Sequence, residues 1–117
     1  MFLIQKISAD PYQKQTLVLE DGTTFSITLY FIPMQYGWFI TQLTYPTTDF
    51  VLNGLRISNS PNMLNQFANL IPFGLCCLSA GNREPSQLQD FSSGASKLYV
   101  LSQTEVIEYQ DYLENNG

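Results

Sequence analysis

The stretch QTLVLEDGTTFSITLYF, residues 15–31, decides the fold class of this chain. From residue 23 to residue 31, apolar side chains alternate with hydroxyl-bearing ones, and a period of two is typical of a half-buried β-strand. Residues 15–20 also alternate, and Asp21-Gly22 separates the two segments. Because Asp-Gly between alternating segments is a strong signal for a β-hairpin, the stretch predicts two antiparallel strands joined by a short turn.

The rest of the chain continues mostly in strands. Segments rich in β-branched and aromatic residues predict four more, over residues 38–45, 50–57, 73–79 and 97–101. Asn53-Gly54 interrupts the second of these, and too few residues flank it for a hairpin, so we predict a bulge or bend there. Apolar spacing predicts a short helix over residues 62–68. Ser102 and Glu105 have the spacing of a capping box, which predicts a helix over residues 103–113.

These elements predict an all-β fold, a small antiparallel barrel or sandwich with one short internal helix and a short C-terminal helix. The length of 117 residues suits one hydrophobic core. We therefore expect a single β domain over residues 1–102, followed by an acidic C-terminal helix or tail over residues 103–117. The alternation places nine residues in the core: Leu17, Leu19, Phe25, Ile27, Leu29, Ile40, Leu75, Leu98 and Val100.

The surface is predicted to be polar but nearly uncharged. Charged residues make up 13% of the chain, against about 25% in typical soluble domains. Ser, Thr, Asn and Gln supply 37 residues instead. A neutral surface rich in hydroxyl and amide groups suits contact with other proteins better than long-range repulsion of them.

The residues that are missing exclude several kinds of site. The chain has no His, which excludes Ser-His-Asp triads, Cys-His dyads and His-ligated zinc. Five scattered basic residues against ten acidic ones argue against a phosphate-binding patch. No apolar run approaches the roughly 20 residues that cross a bilayer. We therefore expect no enzyme activity, no cofactor, no metal site, no membrane association and no specific nucleic-acid binding.

Two further groups of side chains have a structural interpretation. Cys76 and Cys77 are neighbours in a predicted strand, so their side chains should point to opposite faces as free, buried thiols in a reducing cytoplasm. The carboxylates at predicted turns, which include Asp10 and Asp21, are expected to cap backbone amides there.

Three regions are candidates for interaction. In the polar segment 80–96, Leu88 and Phe91 either pin the segment onto its own core or insert into a neighbouring protein. Aromatic residues of the predicted sheet, Tyr30, Trp38 and Tyr45, are expected on its exposed faces, where they could stack bases or sugars. Because no basic residues surround them, sheet packing or a protein interface is the favoured interpretation. Four acids recur every three residues in the C-terminal helix and form either a solvated face or a negative patch that binds a basic partner or repels nucleic acid. These acids are Glu105, Glu108, Asp111 and Glu114.

Several short motifs follow one another along nearly the whole chain. They are Ala9-Asp10-Pro11-Tyr12-Gln13, the hairpin over residues 19–29, Gly37-Trp38-Phe39, Gly54-Leu55-Arg56-Ile57, Asn62-Met63-Leu64, and Lys97-Leu98-Tyr99-Val100-Leu101 ahead of an acidic end. In their order and spacing these motifs resemble the baseplate plug proteins of contractile-tailed bacteriophages, including cyanophages.

The resemblance implies a structural, non-catalytic component of the virion, made and assembled in the host cytoplasm. It implies a position in the tail baseplate near the tail axis, in a symmetric multi-copy assembly. The expected partners are other phage tail and baseplate proteins, such as hub, spike or tube-initiator proteins. The alternative from the residues themselves is a small β-barrel module that binds carbohydrate or single-stranded nucleic acid.

Overall fold

The computed structural model describes residues 2–4 and 7–116, which form eight strands and one C-terminal helix. The strands are β1 (Phe2–Leu3), β2 (Tyr12–Val18), β3 (Thr24–Ile32), β4 (Gly37–Tyr45), β5 (Phe50–Leu52), β6 (Leu55–Arg56), β7 (Gly74–Ser79) and β8 (Ser96–Leu101). The helix α1 spans Gln103–Asn116. Short 3-10 turns lie at Pro33–Gln35, Pro46–Thr48, Asn65–Phe67 and Ala80–Asn82.

The strands form two antiparallel sheets arranged like a sandwich. One sheet has the order β2-β3-β4-β5, with β6 also paired to β4, and the other has the order β1-β8-β7. The prediction of a mainly β fold with a C-terminal helix is confirmed. The barrel alternative is wrong, because the described strands pair within two separate sheets and do not close into a ring. The internal helix predicted over residues 62–68 is reduced to the 3-10 turn Asn65–Phe67.

The predicted hairpin joins β2 to β3. Leu17 pairs with Phe25, and the Gly22 amide donates to the Leu19 carbonyl at 3.0 Å. Gly22 has a φ of 87°, a conformation that glycine adopts without steric cost. The Asp21 carboxylate accepts the Thr23 amide at 2.9 Å, and the hydrogen bonds from Thr23 lower the pKa of this carboxyl. The turn acid therefore caps backbone amides, as the sequence predicts.

A β-bulge lies in the middle of β4. Thr28 of β3 pairs with Gln42 and Leu29 pairs with Ile40, so Thr41 is an extra residue on β4. One extra residue reverses which face later side chains point to. Before Thr41, the side chains of β4 that reach the core have even residue numbers, as in Ile40. After Thr41, those that reach the core have odd numbers, as in Leu43.

The interruption at Asn53-Gly54 is also a bend and not a hairpin, as predicted. Both β5 and β6 pair with β4, on either side of the bulge. Gly54 has a φ of 78°, and its amide donates to the Thr41 carbonyl at 3.3 Å. The two irregularities therefore lie opposite each other, and the edge of the sheet follows the kink of β4.

The core lies between the two sheets. All nine residues predicted for it belong to one hydrophobic cluster, in which Leu17 and Leu19 are half-buried. Phe25 of the larger sheet stacks on Phe73, which precedes β7, with ring centroids 4.3 Å apart. α1 packs on the outward side of the smaller sheet, where Val106 contacts Cys76 and Leu101. The molecule thus has three layers, with the helix on the side away from the larger sheet.

The predicted exposure of two aromatic residues is wrong. Trp38 is fully buried, and Tyr45 is 2% exposed, packed against Phe73 with its hydroxyl 3.1 Å from that of Thr23. Trp38 shares the parity of the core residue Ile40, so strict alternation already indicates burial for it. Tyr45 has the opposite parity, and the Thr41 bulge turns its side chain inward.

Candidate interaction surfaces

The outward face of the five-stranded sheet is a broad surface of hydroxyl and aromatic side chains, which we call the outer face. Its side chains are exposed or half-buried, apart from the buried Thr28. The outer face comprises Tyr12, Lys14, Thr16, Val18, Thr24, Ser26, Thr28, Tyr30, Phe39, Gln42, Thr44, Val51 and Arg56. Such a mixture resembles a protein interface more closely than a solvated surface rich in Lys and Glu.

A row of aromatic rings crosses the outer face at one end. Backbone pairing aligns Tyr12, Tyr30, Phe39 and Arg56 on four successive strands. The rings of Tyr12 and Tyr30 meet edge to face, 5.7 Å apart, and are 58% and 41% exposed. Tyr30 is thus on the exposed face, as predicted, and its ring has a partner that holds it in place.

Arg56 ends the row, where two contacts hold it and Gly37 leaves room for it. Its guanidinium carbon lies 5.4 Å from the centre of the Phe39 ring, a cation–π distance. Nη2 donates to the Tyr36 carbonyl at 3.2 Å. A Cβ at Gly37 would lie 2.8 Å from the same nitrogen, so the absence of a side chain there makes room for the guanidinium. Because a guanidinium has five N–H donors, these contacts leave donors for a partner.

The charge on the strands of the outer face is entirely positive. Their sequences contain Lys14 and Arg56 and no Asp or Glu. This contrasts with a whole chain of net charge -5. The acids are therefore concentrated elsewhere, in turns, in the 80–96 loop and in α1.

The helix α1 begins with the predicted capping box. The Glu105 amide donates to Ser102 Oγ at 3.2 Å, and Glu105 Oε1 accepts the Ser102 amide at 3.1 Å. Each side chain satisfies a backbone amide that the first helical turn leaves unpaired. Glu105 is thus half-buried at the start of the helix and is not a free surface charge.

The outward face of α1 carries both acids and apolar side chains. Glu108 and Asp111 are exposed, and they lie beside Ile107 and Tyr112, which are 50% and 61% exposed. Of the four acids predicted to form a patch, the structure therefore places two on this face. The Glu114 side chain lies outside the described part of the chain.

The loop over residues 80–96 packs onto its own core. Phe91 is buried with its ring edge to face with Trp38, 5.6 Å between centroids, and Leu88 is half-buried against the same cluster. Trp38 Nε1 donates to the Gln87 carbonyl at 3.1 Å. Of the two alternatives for Leu88 and Phe91, the structure shows the first, and their role as contacts for another protein stays a prediction.

An ion pair between a buried carboxylate and an exposed guanidinium closes the same loop. Asp90 is 2% exposed, and its Oδ1 accepts Arg83 Nη2 at 2.6 Å while its Oδ2 accepts the Gln87 amide at 2.9 Å. Burial by itself raises the pKa of Asp90, but the bonds from Arg83 and Gln87 outweigh it and leave the pKa below its usual value. The carboxylate is therefore ionised and structural.

The two cysteines are free and buried, as predicted. Cys77 faces the core between the sheets, and Cys76 lies under α1. Burial raises the pKa of Cys77 to about 11, and burial together with the charge of Glu105 raises that of Cys76. Both thiols are therefore protonated at neutral pH, a state with low reactivity.

Sequence reasoning missed Tyr12, Phe39 and Arg56 as parts of one surface. The signal that would have found them is register. Once the hairpin turn fixes Leu17 opposite Phe25, Tyr12 must lie opposite Tyr30 on the outward side. The position of Phe39 beside Tyr30 depends on the β3–β4 turn, whose length the sequence marks less clearly.

Among residues 2–4 and 7–116, no three His, Cys, Asp or Glu side chains lie close enough together to hold a metal ion. The described helices also include none with the length and apolar character that a bilayer crossing requires. Compared with known proteins, the sequence matches no protein-family model and no curated protein.

Proposed function

We propose that this protein is a structural, non-catalytic component of a contractile phage tail baseplate. In this proposal it is a plug-like protein near the tail axis that contacts hub, spike or tube-initiator proteins. The protein is located in the virion, as part of a symmetric multi-copy assembly that is built in the host cytoplasm.

The resemblance of ordered motifs along the chain gives the proposal its specific content. Several of these motifs have a structural reason to be as they are. Gly37-Trp38-Phe39 places a glycine under Arg56, a tryptophan in the core and a phenylalanine in the aromatic row. Gly54-Leu55-Arg56-Ile57 forms the bend after β5 and supplies the cation of that row. The motifs therefore build the outer face as well as the fold.

The single observation that carries the assembly role is the outer face itself. Five strands present exposed or half-buried Tyr, Thr, Ser and Val side chains with two charges among them. Tyr, Phe and Arg are enriched at protein interfaces relative to the rest of the surface, and the aromatic row supplies all three.

The experiment replaces the two exposed tyrosines of the row. A phage with Tyr12→Asp and Tyr30→Asp should produce particles that lack the protein, because each substitution replaces an exposed ring of the row by a carboxylate that loses its hydration in a protein interface. Mass spectrometry of purified tails measures the protein per particle.

The matched control is Leu70→Asp, which puts a carboxylate at a 57% exposed apolar position in another part of the surface. We expect this variant to enter particles normally. Normal incorporation of the double tyrosine variant, with its fold verified by circular dichroism, would contradict the use of the outer face in assembly.

The aromatic row also favours a second candidate function. Exposed Tyr12 and Tyr30 beside Arg56 and Lys14 could stack and neutralise a short single strand, or Tyr12 and Tyr30 could bind a sugar ring. Two cations give little phosphate neutralisation, so the structural role is the stronger candidate. Titration of the purified protein with labelled oligonucleotides and glycans separates the two, because the structural role expects no binding of either.

A further inference from the structure

The two outward surfaces of the molecule are chemically complementary. On one side the outer face combines Lys14 and Arg56 with exposed Tyr12 and Tyr30. On the opposite side α1 combines Glu108 and Asp111 with exposed Ile107 and Tyr112. Both surfaces thus combine charged and apolar side chains, and their charges have opposite signs.

The fold prevents these two surfaces from meeting within one molecule. α1 packs on the outward side of the smaller sheet through Val106, Cys76 and Leu101. The outer face belongs to the larger sheet, and the buried core lies between the two sheets. A contact between helix and outer face therefore has to join two different molecules.

The dimensions of the two surfaces also agree. A helix of 14 residues is about 21 Å long, since each residue adds about 1.5 Å. Lys14 on β2 and Arg56 on β6 are three strand spacings apart, or roughly 14 Å across the sheet. A helix that crosses the strands can thus approach both cations and the tyrosines next to them.

Charge disfavours the symmetric alternative. If two copies joined outer face to outer face, Lys14 and Arg56 of both would enter an interface whose strands contain no Asp or Glu. Like charges in a desolvated interface cost several kcal/mol. Pairing helix to helix would likewise bring the acids of two copies together.

We infer that copies of this chain associate head to tail, with the acidic outward face of α1 docked across the outer face of the next copy. This inference rests on the proposed assembly role, to which it adds the identity of one partner, a second copy of the chain. A contact between two different surfaces repeats from copy to copy, and it produces a ring if the rotation closes. Such a contact suits a multi-copy assembly around an axis.

The first test is sedimentation velocity of the purified full chain over a wide concentration range. We expect oligomers larger than a dimer at low salt. Raising the salt from about 0.1 M to about 1 M shortens the Debye length from roughly 10 Å to roughly 3 Å and should shift the protein toward monomer. A protein that stays monomeric at all concentrations in low salt overturns the inference.

The second test reverses the charges on each surface in turn. Lys14→Glu with Arg56→Glu gives a sheet-reversed variant, and Glu108→Lys with Asp111→Lys gives a helix-reversed variant. Each should raise the dissociation constant at least about tenfold, since each makes the contact repulsive. The control Glu20→Lys, in the exposed turn between β2 and β3, changes a charge that belongs to neither the outer face nor the outward face of α1 and should leave association unchanged.

Mixing gives the decisive result. An equal mixture of the two reversed variants should associate again, because each reversed surface then meets its complement on the other variant. A single chain with all four substitutions should also recover. If neither the mixture nor the fourfold variant recovers, the contact is not the one inferred here.

Other occupants of the outer face appear as separate outcomes. If a monomeric wild-type chain binds a labelled oligothymidine and the sheet-reversed variant does not, the face serves a single strand and the inference is overturned. If the chain is monomeric in solution but present in tail particles, the inference fails while the proposed function stands. If the chain associates as inferred but is absent from tail particles, the contact is supported and the baseplate role fails.

Discussion

The 80–96 loop and the helix α1 differ in how deeply they contact the core, and the difference is the opposite of what their sequences suggest. The loop is polar and contains two glycines and a proline, yet it places Asp90 and Phe91 inside the molecule. α1 is regular and capped, yet among its described side chains Val106 is the buried one. The comparison teaches that contact with the core, and not regular secondary structure, decides which segment the fold depends on.

The largest effect should come from removing each segment. Deleting residues 87–91 removes the ring that packs on Trp38 and the acid that pairs with Arg83, so we expect no cooperative unfolding transition. Truncation after Leu101 should instead leave a folded sandwich, weakened by about 2 kcal/mol through the loss of Val106 from Cys76 and Leu101. Urea unfolding followed by tryptophan fluorescence measures both, and a stable loop deletion would contradict the comparison.

A single side chain from each region sharpens the contrast. Phe91→Ala should lower the free energy of unfolding by about 3 kcal/mol, because it empties a buried site beside Trp38. Ile107→Ala, at a 50% exposed position of α1, should change it by less than about 0.5 kcal/mol. Equal effects of the two substitutions in chemical denaturation would remove the distinction.

Acid should weaken the loop through Asp90. Because the pKa of Asp90 in the folded protein lies below its ordinary value of 3.8, the ionised form stabilises the fold above that value. This stability is lost as the pH falls below about 4 through the folded pKa.

Asp90→Asn should therefore cost about 1.5 kcal/mol at neutral pH and lose less stability than the wild type on acidification. Asp21 and Glu105, whose pKa values hydrogen bonds also lower, stay in both proteins, so some acid sensitivity remains. Unfolding titrations from pH 7 to pH 3 measure the difference, with Glu108→Gln on the exposed face of α1 as the control. Parallel pH profiles of wild type and Asp90→Asn would rule out this role of the ion pair.

Loss of the helix cap should have a smaller effect than loss of Phe91 or Asp90. Ser102→Ala removes the oxygen that accepts the Glu105 amide and should cost about 1 kcal/mol, mostly by loosening the first turn of α1. Amide hydrogen exchange should show faster exchange at residues 104–106 and no change in β3 or β4. Ser92→Ala, in an exposed part of the loop, is the matched control, and equal exchange in the two variants would refute a role for the cap.

Much of the sheet could be predicted because its signals are local. Alternation and Asp21-Gly22 fixed the hairpin, and Ser102 with Glu105 fixed the start of α1. The burial of Tyr45 could not be predicted from alternation. The Thr41 bulge that turns it inward depends on how β4 pairs with β3, and no characteristic residue marks the bulge in the sequence. Whether two sheets close into a barrel likewise depends on contacts between distant strands.

The candidate surfaces were less predictable than the fold for the same reason. Tyr30 was found because exposure on one strand is a local property, whereas the row from Tyr12 to Arg56 exists only through the pairing of four strands. The anchoring of the loop depends on the Gln87 carbonyl and on an ion pair between Arg83 and Asp90. Neither is visible as a motif in the sequence.

The adjacent cysteines are two internal probes of local unfolding. Cys76 is shielded by α1 and Cys77 by the core between the sheets. A thiol reagent can reach the first sulfur when the helix lifts away, but it reaches the second only when the sheets separate. The labelling rate of Cys76 therefore reports how often the helix detaches, and that of Cys77 reports the much rarer separation of the sheets. A neighbouring molecule docked on the helix would slow the labelling of Cys76 and leave that of Cys77 unchanged.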